Sequence, residues 1–205
     1  MDGKLLDLIL YSCLFYAIVE EGSVRLFRVF GSRVASTINS TVATVICILF
    51  INRSITDDTF SKCLLVCCSG YFIVDIYILV LMKKKTVYNI LMIVHHLIAL
   101  YWLFSMPICF YTETANFFVT EASTPFINIC FYEKMMGREN RMVYIGSGIV
   151  AWNIFLTTRI FNTGMVIYSM WNKVIIYQKM IMIVLWGMNF SWFYKITQMI
   201  TSVLK

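Results

Sequence analysis

Both histidines of the chain are adjacent, His95–His96, and lie inside one apolar run, Tyr88–Phe104. The apolar run before it, Cys63–Met82, holds a single carboxylate, Asp75, and a basic turn, Lys83–Lys85, separates the two. Asp75 stands eight residues before Lys83 and His95 ten residues after Lys85. At ~1.5 Å per helical residue these are depths of about 12 and 15 Å from one shared turn. An antiparallel hairpin therefore brings the carboxylate and the histidine pair to similar depth in a bilayer, where ionisable groups are costly and usually functional. Histidine titrates near neutrality and serves as a base or nucleophile. A carboxylate beside the ring orients it and raises its basicity. Adjacent helical residues point about 100° apart, so only one histidine can face Asp75 squarely. We favour His96 as the reacting residue, with the other either turning toward substrate or serving as a transient nucleophile. Such a set suits a general base or nucleophile with its orienting carboxylate, with Tyr71, one turn before Asp75, as a donor to Asp75 or to an oxyanion, or simply as packing. The structural alternative is a hydrogen bond that holds two helices together, worth about 0.6–2 kcal/mol in a membrane.

A second group lies further along. Glu121, Thr124 and Asn128 are spaced i, i+3, i+7 and share one helical face, with Ser123 beside it. Pro125 should kink that helix and free a carbonyl. Arg159, in the next apolar segment, is the natural countercharge for Glu121. The pair either seals the bundle or forms a substrate site for a phosphate or carboxylate headgroup. Two histidines, with no acidic residue at ligand spacing in their own segment, argue against a zinc or di-iron site, and no bound cofactor is expected.

These residues need helices in lipid to position them. The chain has 205 residues, is 60% hydrophobic with mean hydropathy +0.78, and contains two prolines. That composition belongs in a membrane. Seven apolar segments stand near Leu5–Val19, Val34–Ile51, Cys63–Met82, Tyr88–Phe104, Ala115–Tyr132, Met142–Met165 and Met180–Thr197. Each approaches the ~20 residues that cross the hydrocarbon as a helix. The sixth extends to Met170 with a break near Gly164. Asp2 and Asp7 against Lys4, followed by Glu20–Glu21, read as a retained first span and not a cleaved signal peptide. Glu20–Gly31 is either an interfacial amphipathic helix or a basic turn. The seven cysteines, odd in number and without CxxC spacing, read as small buried hydrophobes.

The net charge of +6 is set at segment ends, with no basic face interleaved with aromatics, so nucleic acid is not an expected partner. One side collects Arg25, Arg28, Arg33, Lys83–Lys85, Lys134, Arg138, Arg141 and Lys205. The other has Lys4, Arg53, Lys62, Lys173 and Lys179. The positive-inside rule then puts the C-terminus in the cytosol and the N-terminus outside it. Asn52-Arg53-Ser54 is a glycosylation sequon on the non-cytosolic side, close against the membrane.

Five motifs occur in order inside these spans: FGSRVASTINSTVA (Phe30–Ala43), SGYFIVD (Ser69–Asp75), HHLIAL (His95–Leu100), TEASTPFIN (Thr120–Asn128) and TTRIFN (Thr157–Asn162). Together they resemble the TLC-domain family, which includes ceramide synthases and translocating-chain-associating membrane proteins. The resemblance covers Phe30 to the C-terminus, leaving residues 1–29 as a peripheral first helix and interfacial connection. It implies six spans in a barrel-like bundle around a lipid-sized cavity, built from two three-helix units, and residence in the endoplasmic reticulum or related endomembranes. In the ceramide synthase branch a histidine pair, matched by His95–His96, transfers an acyl group from acyl-CoA to a sphingoid amine. That branch carries a His-Asp-rich stretch where this chain has Thr120–Phe126, and a histidine where it has Asn39. The chain therefore resembles the smaller TLC proteins.

The expectation is an all-α integral membrane protein with about seven spans. It would transfer an acyl chain from acyl-CoA, as co-substrate, to an amine- or hydroxyl-bearing lipid. His95, His96 and Asp75 would be the catalytic set. Tyr71, Glu121, Ser123, Thr124, Asn128, Arg159 and Asn39 would line the substrate site. Membrane lipids and acyl-CoA are the expected partners, and a homodimer is left open. The rivals are a non-enzymatic lipid-binding or lipid-composition protein and a cargo or translocation accessory.

Overall fold

The computed structural model describes residues 3–27, 31–81, 86–105, 108–138 and 142–203. Arg28, Lys83–Lys85, Arg141 and Lys205, which carry part of the charge bias, and the 29/30 boundary lie outside them. The described residues contain no strand and form seven helical stretches. Four are long and apolar enough to cross a membrane: Arg33–Ile51, Asp57–Leu81, Val87–Ser105 and Met142–Met170. The first stretch carries Lys4, Asp7, Glu20 and Glu21, the fifth is interrupted by a 3₁₀ segment, and the last is laced with polar residues such as Lys179, Asn189 and Lys195. The chain divides into two compact units, Met1–Thr112 and Glu113–Lys205.

The first unit holds α1 (Gly3–Phe27), α2 (Gly31–Ile51), α3 (Asp57–Leu81) and α4 (Val87–Ser105). Helix α1 runs through the expected first span and on to Phe27 without a break, so the acidic pair Glu20–Glu21 lies within a helix, not at its end. Helix α1 packs on α2 and α3, and α3 also packs on α2 and α4. On α2 the buried positions Ala35, Asn39, Ala43 and Cys47 recur every four residues. Small side chains at that spacing let neighbouring helices approach closely in lipid. On α3 the buried face runs Phe60, Leu64, Cys68, Phe72, Asp75, Leu79. Sequence caps set the starts. Thr56 Oγ1 accepts from the Thr59 N–H at 3.3 Å, and Thr86 Oγ1 from the Asn89 N–H at 3.2 Å. Helix α2 ends in a Schellman turn, with Ser54 N–H bonded to Leu49 O and Arg53 N–H to Phe50 O, both at 2.8 Å. Arg53 sits at φ 58°, the left-handed position such a turn requires.

A 3₁₀ turn, Ile108–Phe110, and the first residues of α5 (Tyr111–Phe118) close the first unit; the second starts at Glu113 within α5 and continues as a 3₁₀ segment (Val119–Ser123) and α6 (Thr124–Met135). Then come α7 (Met142–Ile154), a π-helical stretch (Phe155–Asn162), α8 (Thr163–Met170) and α9 (Ile176–Val203). The sixth segment thus reaches Met170, and its irregularity precedes Gly164 as a π stretch. Phe155, Ile160 and Ile196 form the buried core, flanked by Trp152, Trp192 and Phe193. Helix α6 closes with a second Schellman turn, here with Gly137 at φ 65°. That turn carries Arg138 back toward its own helix, where Nη2 lies 3.0 Å from Oε1 of the buried Glu133.

Large apolar side chains cover the outside of both units. Leu10, Leu14 and Ile18 on α1, Leu81 on α3 and Met165 and Tyr168 on α8 are all exposed. Apolar surface on this scale is stable only against lipid or another apolar partner.

Candidate active site

In the first unit, α3 and α4 bring Asp75 and His96 together. Asp75 is 7% and His96 2% exposed, and Oδ2 lies 3.2 Å from Nδ1. The separation has hydrogen-bond length, but Nδ1 lacks an aligned acceptor. Ring contacts fix where His96 lies. The Phe72 ring is tilted against it at 4.8 Å between centroids, and the Tyr71 ring meets it edge-on at 5.7 Å. Tyr71, Phe72 and Asp75 span one turn of α3, so a single helical face supplies both the walls and the carboxylate. His95 is half-buried, its ring 5.5 Å from that of His96. The two histidines are therefore unequal: His96 is the one against Asp75, as the 100° offset requires.

Asn39 enters through a residue that sequence reasoning missed. Its Oδ1 accepts from the Tyr16 hydroxyl at 3.4 Å, and the Tyr16 ring packs edge-on against Tyr71 at 5.6 Å. Tyr16, Asn39, Tyr71 and His96 come from α1, α2, α3 and α4 respectively, one from each helix of the unit. Nothing in the spacing of α1 marks Tyr16, because Tyr11 and Tyr16 look alike until packing leaves one exposed and buries the other.

The second unit builds a separate polar centre from two defects in helical hydrogen bonding. Pro125 has no N–H to give the Glu121 carbonyl. The Thr124 N–H takes that carbonyl instead, which tightens Val119–Ser123 into a 3₁₀ segment. The Thr120 carbonyl, inside this segment, accepts from Arg159 Nε at 3.0 Å and from the Ser123 hydroxyl at 3.2 Å. Arg159 Nε also reaches Ser123 Oγ at 3.1 Å. Its Nη2 donates to Thr124 Oγ1 at 2.9 Å and to Glu121 Oε1 at 3.3 Å. The Thr124 hydroxyl in turn donates to Glu121 Oε2 at 3.0 Å. Asn128 lies one turn further along α6, buried.

Arg159 itself projects from the π stretch. Thr157 and Thr158 hydroxyls bond back to the Asn153 and Ile154 carbonyls at 2.9 and 2.7 Å, which competes with regular helical bonding. Carbonyls released by a π turn need partners, and α9 supplies them. Trp186 Nε1 donates to Ile160 O at 3.0 Å and Asn189 Nδ2 to Arg159 O at 3.4 Å. Neither α9 residue was expected at a site, although an Asn in an apolar run is itself a signal. Among the described residues no three His, Cys, Asp or Glu converge as a metal site would need.

A helical fold with four helices long and apolar enough to cross a membrane, an apolar exterior and buried ionisable groups fits an integral membrane protein. The family model of the TLC domain matches residues 29–198, more than four-fifths of the length. The chain belongs to the TLC-domain family. A comparison with curated proteins gives no match.

Proposed function

We propose that this TLC-domain protein is an intramembrane lipid acyltransferase. The observation that carries the reading is the buried imidazole of His96 with the Asp75 carboxylate 3.2 Å from Nδ1. A base oriented by a carboxylate is what acyl transfer requires. His96 takes the proton from an amine or hydroxyl of the acceptor lipid. The acceptor nitrogen or oxygen bonds to the thioester carbon, the carbon–sulfur bond breaks, and CoA leaves as the thiol with the proton delivered by His96. Asp75 holds the ring and stabilises the imidazolium that forms between those steps. His95, beside it and less buried, faces the substrate. The barrel-like six-span bundle with a lipid-sized cavity, endoplasmic-reticulum residence and a cytosolic C-terminus are parts of the same proposal, drawn from the family resemblance and the loop charges.

The second centre is assigned a structural role within this reading. Nε and Nη2 of Arg159 are already engaged by protein acceptors. A headgroup would have to displace them. The rival reading is a protein that holds a lipid without reacting with it.

The discriminating experiment incubates detergent-purified protein with labelled long-chain acyl-CoA and a membrane-lipid extract. Labelled lipid formed by wild type and lost in His96→Ala supports the proposal. A lipid that co-purifies unchanged in both, with no label moved, favours the lipid-holding protein.

A further inference from the structure

Helix α1 precedes the segment matched by the family model, yet it crosses α3 in close contact at Gly70. A methyl group added at Gly70 would overlap the Ser12 side chain and come within 2.8 Å of the Ser12 backbone carbon. Only glycine at that point of α3 lets α1 lie so near. Ser12 and Tyr16 are one turn apart on α1 and so share a face, while Gly70 is followed at once by Tyr71. The crossing therefore seats the Tyr16 ring on the Tyr71 ring. Tyr71 in turn packs edge-on against His96. The Tyr16 hydroxyl also donates to Asn39 Oδ1 of α2 at 3.4 Å, a long bond beside the ring packing that sets its place.

We propose that α1 is a working part of the His96 site, with Tyr16 a positioning residue that holds the Tyr71 ring, and through it the His96 ring, against Asp75. Its catalytic consequence rests on the acyl-transfer reading, whereas its effect on the reactivity of His96 rests on the geometry alone. With Tyr16 absent, Tyr71 gains a free side into which it can rotate, and His96 loses one of its two ring walls. The imidazole then spends less time facing the carboxylate and becomes more accessible to small reagents. A helix that served only to anchor the unit would change stability without changing His96 selectively.

The test uses the full chain in detergent and diethyl pyrocarbonate as the probe, with mass spectrometry resolving the ethoxycarbonylation of His96 from that of His95. Tyr16→Leu should raise the His96-to-His95 rate ratio about fivefold, the scale of one lost edge-to-face ring pair. Tyr16→Phe, which keeps the ring, should stay within about twofold of wild type. Gly70→Ala, which pushes α1 away and keeps every ring, should move the ratio in the same direction as Tyr16→Leu. Leu14→Ala, on the exposed face of α1, should leave it unchanged. Acyl transfer measured in parallel should show a lower kcat at unchanged KM in Tyr16→Leu. A His96-to-His95 ratio in Tyr16→Leu and Gly70→Ala equal to that of Leu14→Ala overturns the inference. A shifted ratio in protein that moves no acyl label upholds the positioning role and removes the acyltransferase reading instead.

Discussion

Asp75 and His96 each lose hydration on burial, and each offsets part of that loss for the other. Removing one partner is therefore informative in two ways. Asp75→Asn keeps the shape of the side chain but not its charge, so the ring loses its orienting anion. Acyl transfer should fall about a hundredfold or more, while the protein remains folded by circular dichroism. Arg159 calls for the opposite readout. Arg159→Met strands Glu121 and uncaps the Thr120 carbonyl, and should lower unfolding stability by roughly 3–5 kcal/mol. Adding Glu121→Gln should recover part of that loss, measured by thermal unfolding in detergent. At this scale much was legible in the sequence. His96, Asp75, Glu121 and Arg159 are ionisable residues in apolar runs, and lipid leaves such residues few places to go. Tyr16 was not legible, because its role comes from a crossing made possible by Gly70, and no local pattern on α1 encodes that.

Helices α5–α6 and α7–α8 show how broken elements create binding groups. One break is a 3₁₀ segment ahead of Pro125 and the other a π stretch, and each presents backbone carbonyls that side chains from another helix satisfy. Pro125→Ala restores the missing N–H and removes the cause of the 3₁₀ segment. Helix propensity alone predicts a gain. Displacing the Thr120 carbonyl from Arg159 predicts a lower melting temperature instead, and thermal unfolding in detergent decides between them. At the end of α2 the expectation runs the other way. Arg53→Gly relieves a left-handed conformation in a turn whose hydrogen bonds are already formed, and should stabilise the protein by about 0.5–1 kcal/mol. Pro125 was read from sequence as a kink that frees a carbonyl. The π stretch was not, since Thr157 and Thr158 disturb a helix through hydroxyl bonds that leave no trace in hydrophobic periodicity.

The molecule as a whole was the most legible level. Composition and segment spacing pointed to helices in lipid, and the described residues form seven helical stretches, of which four meet the length and apolarity of a membrane span. The rest fell short because charged and polar residues, or the 3₁₀ segment ahead of Pro125, interrupt their apolar helices. Orientation is a property of loop charge, and it gives a direct expectation. With epitope tags at both termini, selective permeabilisation of the plasma membrane should expose the C-terminal tag alone. The proposed acyl transfer turns on one residue, His96. Release of free CoA thiol from a long-chain acyl-CoA, in the presence of a membrane-lipid extract, should be followed side by side in wild type, His95→Gln, His96→Gln and Asp75→Asn. The expected result is thiol release by wild type, residual release in His95→Gln and Asp75→Asn, and none above background in His96→Gln. Equal release by wild type and His96→Gln would contradict acyl transfer at this site.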